Sequence, residues 1–279
     1  MGSWFARFFR LRKASVVVSD RDLRKARQLA SRIRAEYARN NIEAARGSDI
    51  VVVATPLRVA SEVIKEILPA LKRNSLLLDI CALKSAVIPA LHVAEGRGVR
   101  IASIHPMFGP LAPSLRGRAM IIVRTGKDMR GTDAAKQLFR LARIRLVDPK
   151  AHDKQMAVAL ALPHFLNMAF AGASWKRVSK ARKYAGRTFN LQLLLAETIA
   201  SEPETTADIQ TMSKEFGPLL RELERQIRQL SRIVHRRDGT QLAAHYRRIR
   251  KNLSADPEFR VAQKKFERVC EALSAFSTR

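Results

Sequence analysis

The chain has 279 residues and a formal charge of +27 at pH 7, with 52 Lys and Arg against 25 Asp and Glu. This length allows two domains, each with a sizeable core. The two cysteines, Cys81 and Cys270, lie too far apart in the chain for a disulfide framework and offer no metal-ligand spacing, so no metal site is expected. The absence of an apolar run of 18 residues predicts no membrane span, and residues 1–13 lack the pattern of a secretory signal, so we expect a cytoplasmic protein.

Excess positive charge is a common signature of nucleic-acid binding. Here the basic residues are spread through every predicted helix, without a nucleic-acid-binding motif and without interleaved aromatic residues. We interpret them mainly as solvated helix faces that attract nucleic acid only non-specifically. A dedicated nucleic-acid-binding protein is the alternative from another functional class.

Strands alternate with helices over the first half of the chain. In chain order we predict a helix at 2–10, a strand at 15–19, a helix at 21–34, a strand near Tyr37, a helix at 41–46, a strand at 49–54, a helix at 57–71, a strand at 75–79, a helix at 86–95, a strand at 98–104, a strand at 119–123, a helix at 132–141 and a strand at 144–147. Near-continuous apolar strands between helices are typical of a parallel sheet covered on both faces. Residues 1–148 are therefore predicted to form a Rossmann-like, dinucleotide-binding α/β domain.

Only helical periodicities follow Asp148. They cover residues 153–175, 188–201, 204–236, 240–252 and 257–277, and no period repeats. Residues 149–279 are therefore predicted to form an all-helical second domain. Because long apolar helices of such domains often pack across a two-fold axis, a homodimer is expected.

The first functional candidate is His105, which begins the run His-Pro-Met-Phe-Gly-Pro at the end of a predicted strand. Ligands of open α/β sheets bind at the carboxyl ends of the strands. An imidazole placed there can act as a general base or a hydrogen-bond acceptor near neutral pH. The alternative is a structural histidine.

A dinucleotide site is predicted near the N-terminus. Asp20 ends the first strand, where a dinucleotide fold carries the acid that binds the ribose hydroxyls. A carboxylate there favours NAD because it repels a 2′-phosphate, whereas Arg21 keeps NADP open; an N-cap is the alternative role of Asp20. Gly2 can only be the last glycine of a Gly-x-Gly-x-x-Gly loop, so the Rossmann-like domain looks N-terminally truncated. We expect this start to be an internal methionine of a longer protein; otherwise another element must replace the central strand.

Several short motifs occur in an order that resembles the prephenate dehydrogenase family. They are residues 1–8, 49–56, 79–84, 105–110, 152–153, 162–165, 189–193 and 207–209. The resemblance covers nearly the whole chain. It implies a Rossmann domain followed by a helical dimerisation domain, and NAD(P)-dependent oxidative decarboxylation of prephenate to 4-hydroxyphenylpyruvate in tyrosine biosynthesis.

The same resemblance implies roles for individual residues. His105 would be the catalytic base near the ring hydroxyl of the substrate. Lys84 would hold a substrate carboxylate, with a surface lysine as the alternative. His164 would border the substrate pocket, with a core histidine as the alternative. Thr55 and Pro56 would approach the cofactor.

Two positions depart from the family pattern. Ala82 stands where the family usually has serine, and Asn190 stands where it usually has an arginine that grips a substrate carboxylate. Arg187 lies one helical turn before Asn190 and could reach the same space. A neutral amide cannot replace a bidentate guanidinium, a loss on the order of 2 kcal/mol. Reduced activity, a preference for the related arogenate, and a non-catalytic or regulatory relative are therefore open hypotheses.

Overall fold

The structure is a computed structural model that describes residues 1–127 and 129–277, with side chains as far as Leu273. It divides into two compact units. The first unit contains residues Met1–Ala161 and Ala207–Lys214, and the second contains Leu162–Thr206 and the chain from Glu215 onward.

The first unit alternates helices and strands. Its elements are α1 (Gly2–Arg10), β1 (Val17–Val18), α2 (Leu23–Ile33), β2 (Glu36–Tyr37), α3 (Asn41–Ala45), β3 (Ile50–Val53), α4 (Leu57–Ile67), β4 (Leu76–Asp79), α5 (Ile88–Gly96), β5 (Arg100–Pro106), β6 (Ala119–Val123), α6 (Arg130–Leu138), β7 (Arg143–Val147) and α7 (Pro149–Met156). One sheet has the strand order β3-β4-β5-β6-β7, and β1 pairs with β2 in a separate two-stranded sheet. The prediction of a Rossmann-like unit is confirmed.

The sheet departs from the expected wholly parallel arrangement at one pair. Strands β3, β4 and β5 are parallel neighbours, and β6 and β7 are parallel, but β5 and β6 are antiparallel. A parallel neighbour needs a crossover connection, usually a helix. Residues 107–118, which join β5 to β6, contain no helix, so the chain turns back beside the strand that it has just left.

Two further expectations are corrected in this unit. Helix α2 begins at Leu23 rather than at residue 21, because the Asp22 side chain accepts the Arg24 amide and caps it. The N-cap role considered for Asp20 is therefore wrong. Helix α4 ends at Ile67, before the expected residue 71, and a 3₁₀ turn at Leu68–Ala70 follows. Pro69 lacks an N–H group and its ring clashes with the carbonyl of the preceding turn, so an α-helix cannot continue through it.

Alternate residues of the strands supply the core on the two faces of the sheet. Leu77 and Ile101 belong to a buried cluster that includes α4 and α5. Leu76, Leu78 and Ile104 belong to a second buried cluster that includes the aromatic residues of α1. Because side chains of a strand alternate between faces, β4 and β5 need apolar residues on both faces, and this explains their near-continuous apolar runs.

The second unit is helical, as predicted. Its elements are α8 (Leu162–Ser174), α9 (Val178–Arg182), α10 (Arg187–Ala200), α11 (Pro203–Met212, whose residues from Ala207 on lie in the first unit), α12 (Phe216–His235), α13 (Gly239–Leu253) and α14 (Ala262–Ser277). The expected single helix at 204–236 is wrong, because α11 and α12 are separate. Pro218 in the first turn of α12 would clash with the carbonyl of Lys214 in a continuous helix. The short helix α9 was not predicted.

One helical stretch of the described residues, Pro149–Arg182, is long and apolar enough by length and composition to cross a membrane. A single stretch of this kind is weak evidence for a span, because helices of soluble proteins pass the same test. The expectation of no membrane span therefore stays a prediction.

Candidate active site

His105 lies at the carboxyl end of β5, with its side chain on the same face of the strand as Ile101 and Ser103. Only 7% of the residue is exposed. Burial, together with the nearby charge of Lys84 and the neighbouring His152, holds the pKa of the His105 imidazole well below its ordinary value of 6.5. At neutral pH the ring is therefore uncharged, and an uncharged imidazole can accept a proton or a hydrogen bond.

Lys84 is fully buried in an ion pair with Asp79. Its Nζ lies 3.0 Å from Asp79 Oδ1 and donates a second hydrogen bond of 2.7 Å to the carbonyl of Ile104. The alternative of a surface lysine is wrong. Two of the three N–H groups of Lys84 are thus used within the protein, while its charge acts on His105 through space. The expected contact of Lys84 with a substrate carboxylate stays a prediction.

The start of α7 brings two more side chains to His105. His152 Nε2 lies 3.0 Å from His105 Nδ1, and His152 Nδ1 lies 2.8 Å from Asp153 Oδ1. The same carboxylate accepts the backbone amides of Lys84 at 2.8 Å and of Ser85 at 2.9 Å. Burial by itself would raise the pKa of Asp153, but the hydrogen bonds from His152 and from the two amides outweigh it and lower the pKa to about 2. Asp153 is therefore ionised at neutral pH and ties α7 to the turn after β4.

Four predicted cofactor residues follow strands, Asp20 and Arg21 after β1 and Thr55 and Pro56 after β3, whereas Gly2 begins α1. A Cβ atom added to Gly2 would lie 3.2 Å from the Ala54 Cβ, so the absence of a side chain lets the start of α1 approach the end of β3 closely. The hydroxyl of Thr55 is buried and has no hydrogen-bond partner among the described residues, and Pro56 directly precedes α4. An orphaned hydroxyl and a close-packed helix start fit the phosphates or amide of a dinucleotide.

Asp20 and Arg21 are both exposed beyond the end of β1. Asp20 Oδ1 accepts the backbone amide of Asp22 at 2.9 Å, which stabilises the turn into α2. An exposed carboxylate held in this turn is compatible with the predicted ribose contact.

The remaining predicted substrate residues lie in the second unit. His164 follows a π-helical turn at Ala157–Ala161, and such turns are frequent at functional sites. Pro163 cannot donate to the carbonyl of Ala159, and the wider turn relieves the clash that its ring would cause. The His164 Nδ1 atom is buried without a hydrogen-bond partner among the described residues, and burial lowers the pKa of the ring.

Arg187 and Asn190 lie in the first turn of α10, and both are exposed. The Arg187 guanidinium forms an ion pair with Glu267 and lies 5.9 Å from the centre of the Phe266 ring. The Arg187 side chain thus contacts α14. That Arg187 takes over the role of the arginine in the family pattern stays a prediction.

The structure therefore brings His105 and Lys84 together in the first unit, and Gly2 and Thr55 both lie near the end of β3. Comparison with known families adds to this geometry. The model "Prephenate dehydrogenase, nucleotide-binding domain" matches residues 5–148, and "Prephenate dehydrogenase, dimerization domain" matches residues 148–248.

The chain belongs to the prephenate dehydrogenase family.

Individual members of the prephenate dehydrogenase family are similar in sequence or fold. A protein of Methanocaldococcus jannaschii named "Probable arogenate/prephenate dehydrogenase" is 31% identical over 252 residues, which are 85% of this chain and 55% of that protein. A "4-amino-4-deoxyprephenate dehydrogenase" of Streptomyces pristinaespiralis is 28% identical over 217 residues, which are 75% of this chain and 72% of that protein. This chain thus spans little more than half the length of the first of these relatives.

A solved structure of the family also shares the fold. It is the prephenate dehydrogenase of A. aeolicus in complex with hydroxyphenyl propionate and NAD+. Its TM-score to this chain is 0.72 at 18% sequence identity, and the match covers 92% of this chain and 95% of the other.

Sequence reasoning did not assign a role to Asp79, His152 or Asp153, although all three stand inside the motifs that carry the family resemblance. The available signal was the adjacent pair His152-Asp153 directly after a strand and a helix-starting proline. An imidazole next to a carboxylate at such a position is a candidate partner for the catalytic base.

Proposed function

We propose that the protein oxidises a prephenate-type cyclohexadienol with NAD+ and that loss of carbon dioxide follows. With prephenate the product is 4-hydroxyphenylpyruvate, a precursor of tyrosine; arogenate is the alternative substrate. The observation that carries the proposal is the uncharged, buried imidazole of His105 at the carboxyl end of β5. Family membership supports the class of reaction.

The chemistry requires a group that accepts the proton of the ring hydroxyl while hydride leaves the same carbon. His105 suits this role because burial and the charge of Lys84 keep its ring unprotonated. NAD+ would supply the hydride acceptor. The resulting ring carbonyl accepts, through the ring, the electron pair of the breaking bond to the carboxylate, and aromatisation favours the release of carbon dioxide. The proton ends on the phenolic oxygen of the product.

Residues 1–148, the N-terminal part of the chain, would bind the dinucleotide cofactor. Gly2 would allow close approach of the pyrophosphate, and Thr55 with Pro56 would face the nicotinamide side. Asp20 favours NAD over NADP because its carboxylate would repel a 2′-phosphate, whereas Arg21 is the feature that would favour NADP. We therefore expect NAD to be the better cofactor.

In the first unit, Lys84 would bind a substrate carboxylate. In the helical part, residues 149–279, the proposed substrate-binding residues are His164, Arg187 and Asn190. Asn190 is neutral and Ala82 has no hydroxyl, so neither residue can form the substrate contact that the family pattern has at its position. These two positions favour a second candidate function, that of a non-catalytic relative that binds ligands without turnover.

We also propose a homodimer formed by the helical part. Several apolar side chains of this unit are exposed in the single chain, namely Leu166, Trp175, Leu194 and Leu195. Apolar residues on α8 and α10 need a covering surface, and a second copy of the chain supplies one. Light scattering of the purified protein is expected to give twice the chain mass. The free, buried thiol of Cys81 agrees with the reducing, cytoplasmic location that belongs to the same proposal.

The function is tested by following reduced nicotinamide in the purified protein. The assay combines NAD+ or NADP+ with prephenate, arogenate or 4-amino-4-deoxyprephenate. We expect turnover with NAD+ and prephenate or arogenate, and a loss of about 10²-fold or more in kcat for His105→Asn, with NAD+ affinity kept within about twofold. Binding without turnover in the folded wild-type protein would support the non-catalytic relative, and absence of both would reject the proposal.

A further inference from the structure

Three side chains form a continuous buried hydrogen-bonded chain behind the proposed base. It runs from the Asp153 carboxylate through both ring nitrogens of His152 to Nδ1 of His105, with contacts of 2.8 Å and 3.0 Å. The His152 side chain has no exposed surface, and Asp153 and His105 are also buried. Of these three hydrogen-bonded side chains, only that of His105 has a role in the proposed function above.

The Asp153 carboxylate determines which nitrogen atoms of His152 and His105 carry hydrogen. Ionised Asp153 can only accept, and its oxygens already accept the amides of Lys84 and Ser85. His152 must therefore donate through Nδ1. With a single hydrogen on the His152 ring, its Nε2 carries the lone pair and accepts, and the hydrogen atom between the two rings then belongs to His105 Nδ1.

The remaining nitrogen of His105 follows by elimination. A neutral ring with its hydrogen on Nδ1 has its lone pair on Nε2, which makes no hydrogen bond that the structure gives. We propose that Asp153 and His152 are positioning residues that hold His105 in the Nδ1–H tautomer and so keep Nε2 ready to accept the substrate hydroxyl. The acceptance of the substrate hydroxyl by Nε2 rests on the proposed function, whereas the tautomer of His105 does not.

The same carboxylate also fixes the turn that follows β4. Asp153 accepts the backbone amides of Lys84 and Ser85 in this turn and, through His152, holds the ring of His105. One buried carboxylate thus sets both the backbone of the turn and the direction of the base.

The tautomer can be measured in the full-length wild-type protein without substrate. Long-range proton–nitrogen NMR at about pH 8 distinguishes a protonated from an unprotonated ring nitrogen, and single His substitutions assign the signals of the six histidines. We expect His105 and His152 both to carry hydrogen on Nδ1. Hydrogen on His105 Nε2, or on both nitrogens of His152, would overturn the inference whether or not the protein turns over prephenate.

Two variants of His152 test the consequence for catalysis. His152→Gln keeps a donor for Asp153 and an acceptor for His105, whereas His152→Leu removes both. We expect kcat to fall about 10²-fold or more in His152→Leu and less than about tenfold in His152→Gln, with KM changed less than about threefold in both. The control His92→Leu removes a histidine of the same unit that bonds to the Thr125 carbonyl, and it is expected to leave kcat and the His105 tautomer unchanged.

The outcomes separate the two proposals. If wild-type His105 has the Nδ1–H tautomer but no substrate reacts, the proposed function fails and the tautomer inference stands. If substrate reacts and His152→Leu keeps both the tautomer and kcat, the function stands and the positioning role is refuted. Should His152→Leu not fold, the wild-type spectrum and His152→Gln still decide the question.

Discussion

Substitution Lys84→Met tests the electrostatics on which the candidate base depends. The side chains of Lys84 and Asp79 are both without exposed surface, and 3.0 Å separate Nζ from Oδ1. Methionine has about the length of lysine but no charge, so the substitution leaves the Asp79 carboxylate buried without its counter-charge. One of its oxygens already has no hydrogen-bond partner among the described residues.

The burial of the pair decides the size of the effect. Removing one partner of a buried ion pair costs about 3–5 kcal/mol, because the remaining charge is left uncompensated. Lys65 and Glu62 have the same N···O distance of 3.0 Å, but their side chains are 55% and 72% exposed. Breaking an exposed pair costs about 0.2–1 kcal/mol. The control Lys65→Met should therefore lose several-fold less stability than Lys84→Met.

The free energy of unfolding is measured by urea titration in a Trp175→Phe background. The chain has two tryptophans, and this background leaves Trp4, which lies in the core of the first unit, as the only one. Its fluorescence therefore reports on the unit that contains the ion pair. The double variant Asp79→Leu with Lys84→Met is expected to recover most of the loss, because it removes the stranded charge.

A loss below about 1 kcal/mol in Lys84→Met, or a loss equal to that of Lys65→Met, would refute the reasoning. It would mean that the Asp79 carboxylate becomes neutral or hydrated at little cost once Lys84 is gone. The uncharged state of His105 would then need another explanation than burial beside a fixed cation.

Two further predictions concern the same unit. Gly131→Ala should destabilise this unit by about 3 kcal/mol or more in the same urea assay, because the new Cβ would lie 2.0 Å from the Ile101 carbonyl oxygen. The control Gly96→Ala, whose new Cβ would have no atom within 4 Å, should change stability by less than about 1 kcal/mol. Equal effects of the two substitutions would contradict the close packing of α6 on β5. Because the pKa of His105 is lowered in the native state, the unfolded protein binds a proton below about pH 6.5 that the native protein does not, so the free energy of unfolding should fall with decreasing pH. His105→Gln should reduce the slope of the free energy of unfolding against pH by up to about 1.4 kcal/mol per pH unit between pH 7 and 5. An unchanged slope in His105→Gln would show that the ring is protonated normally.

Local chemistry determined much of this protein. The alternation of apolar strands with amphipathic helices predicted the Rossmann-like unit and the helical unit, and the bounds of α1 and β6 were predicted to the residue. The position of His105 at the end of a strand was also predictable, because an apolar strand followed by a proline and a glycine turn is a local pattern. These features depend on residues that are neighbours in the chain.

Only the tertiary structure decided what those residues contact. The sequence pattern of β6 is the same for a parallel and an antiparallel neighbour, and the reversal beside β5 depends on how residues 107–118 fold back. Lysine is usually found on the surface, and Lys84 can be buried because Asp79 at the end of β4 pairs with its charge. His105 and His152 are 47 residues apart in the chain, and their contact exists only because α7 returns to the end of β5. Periodicity records which face of an element is apolar, whereas the pairing of buried polar groups depends on distances between elements, and folding alone sets those distances.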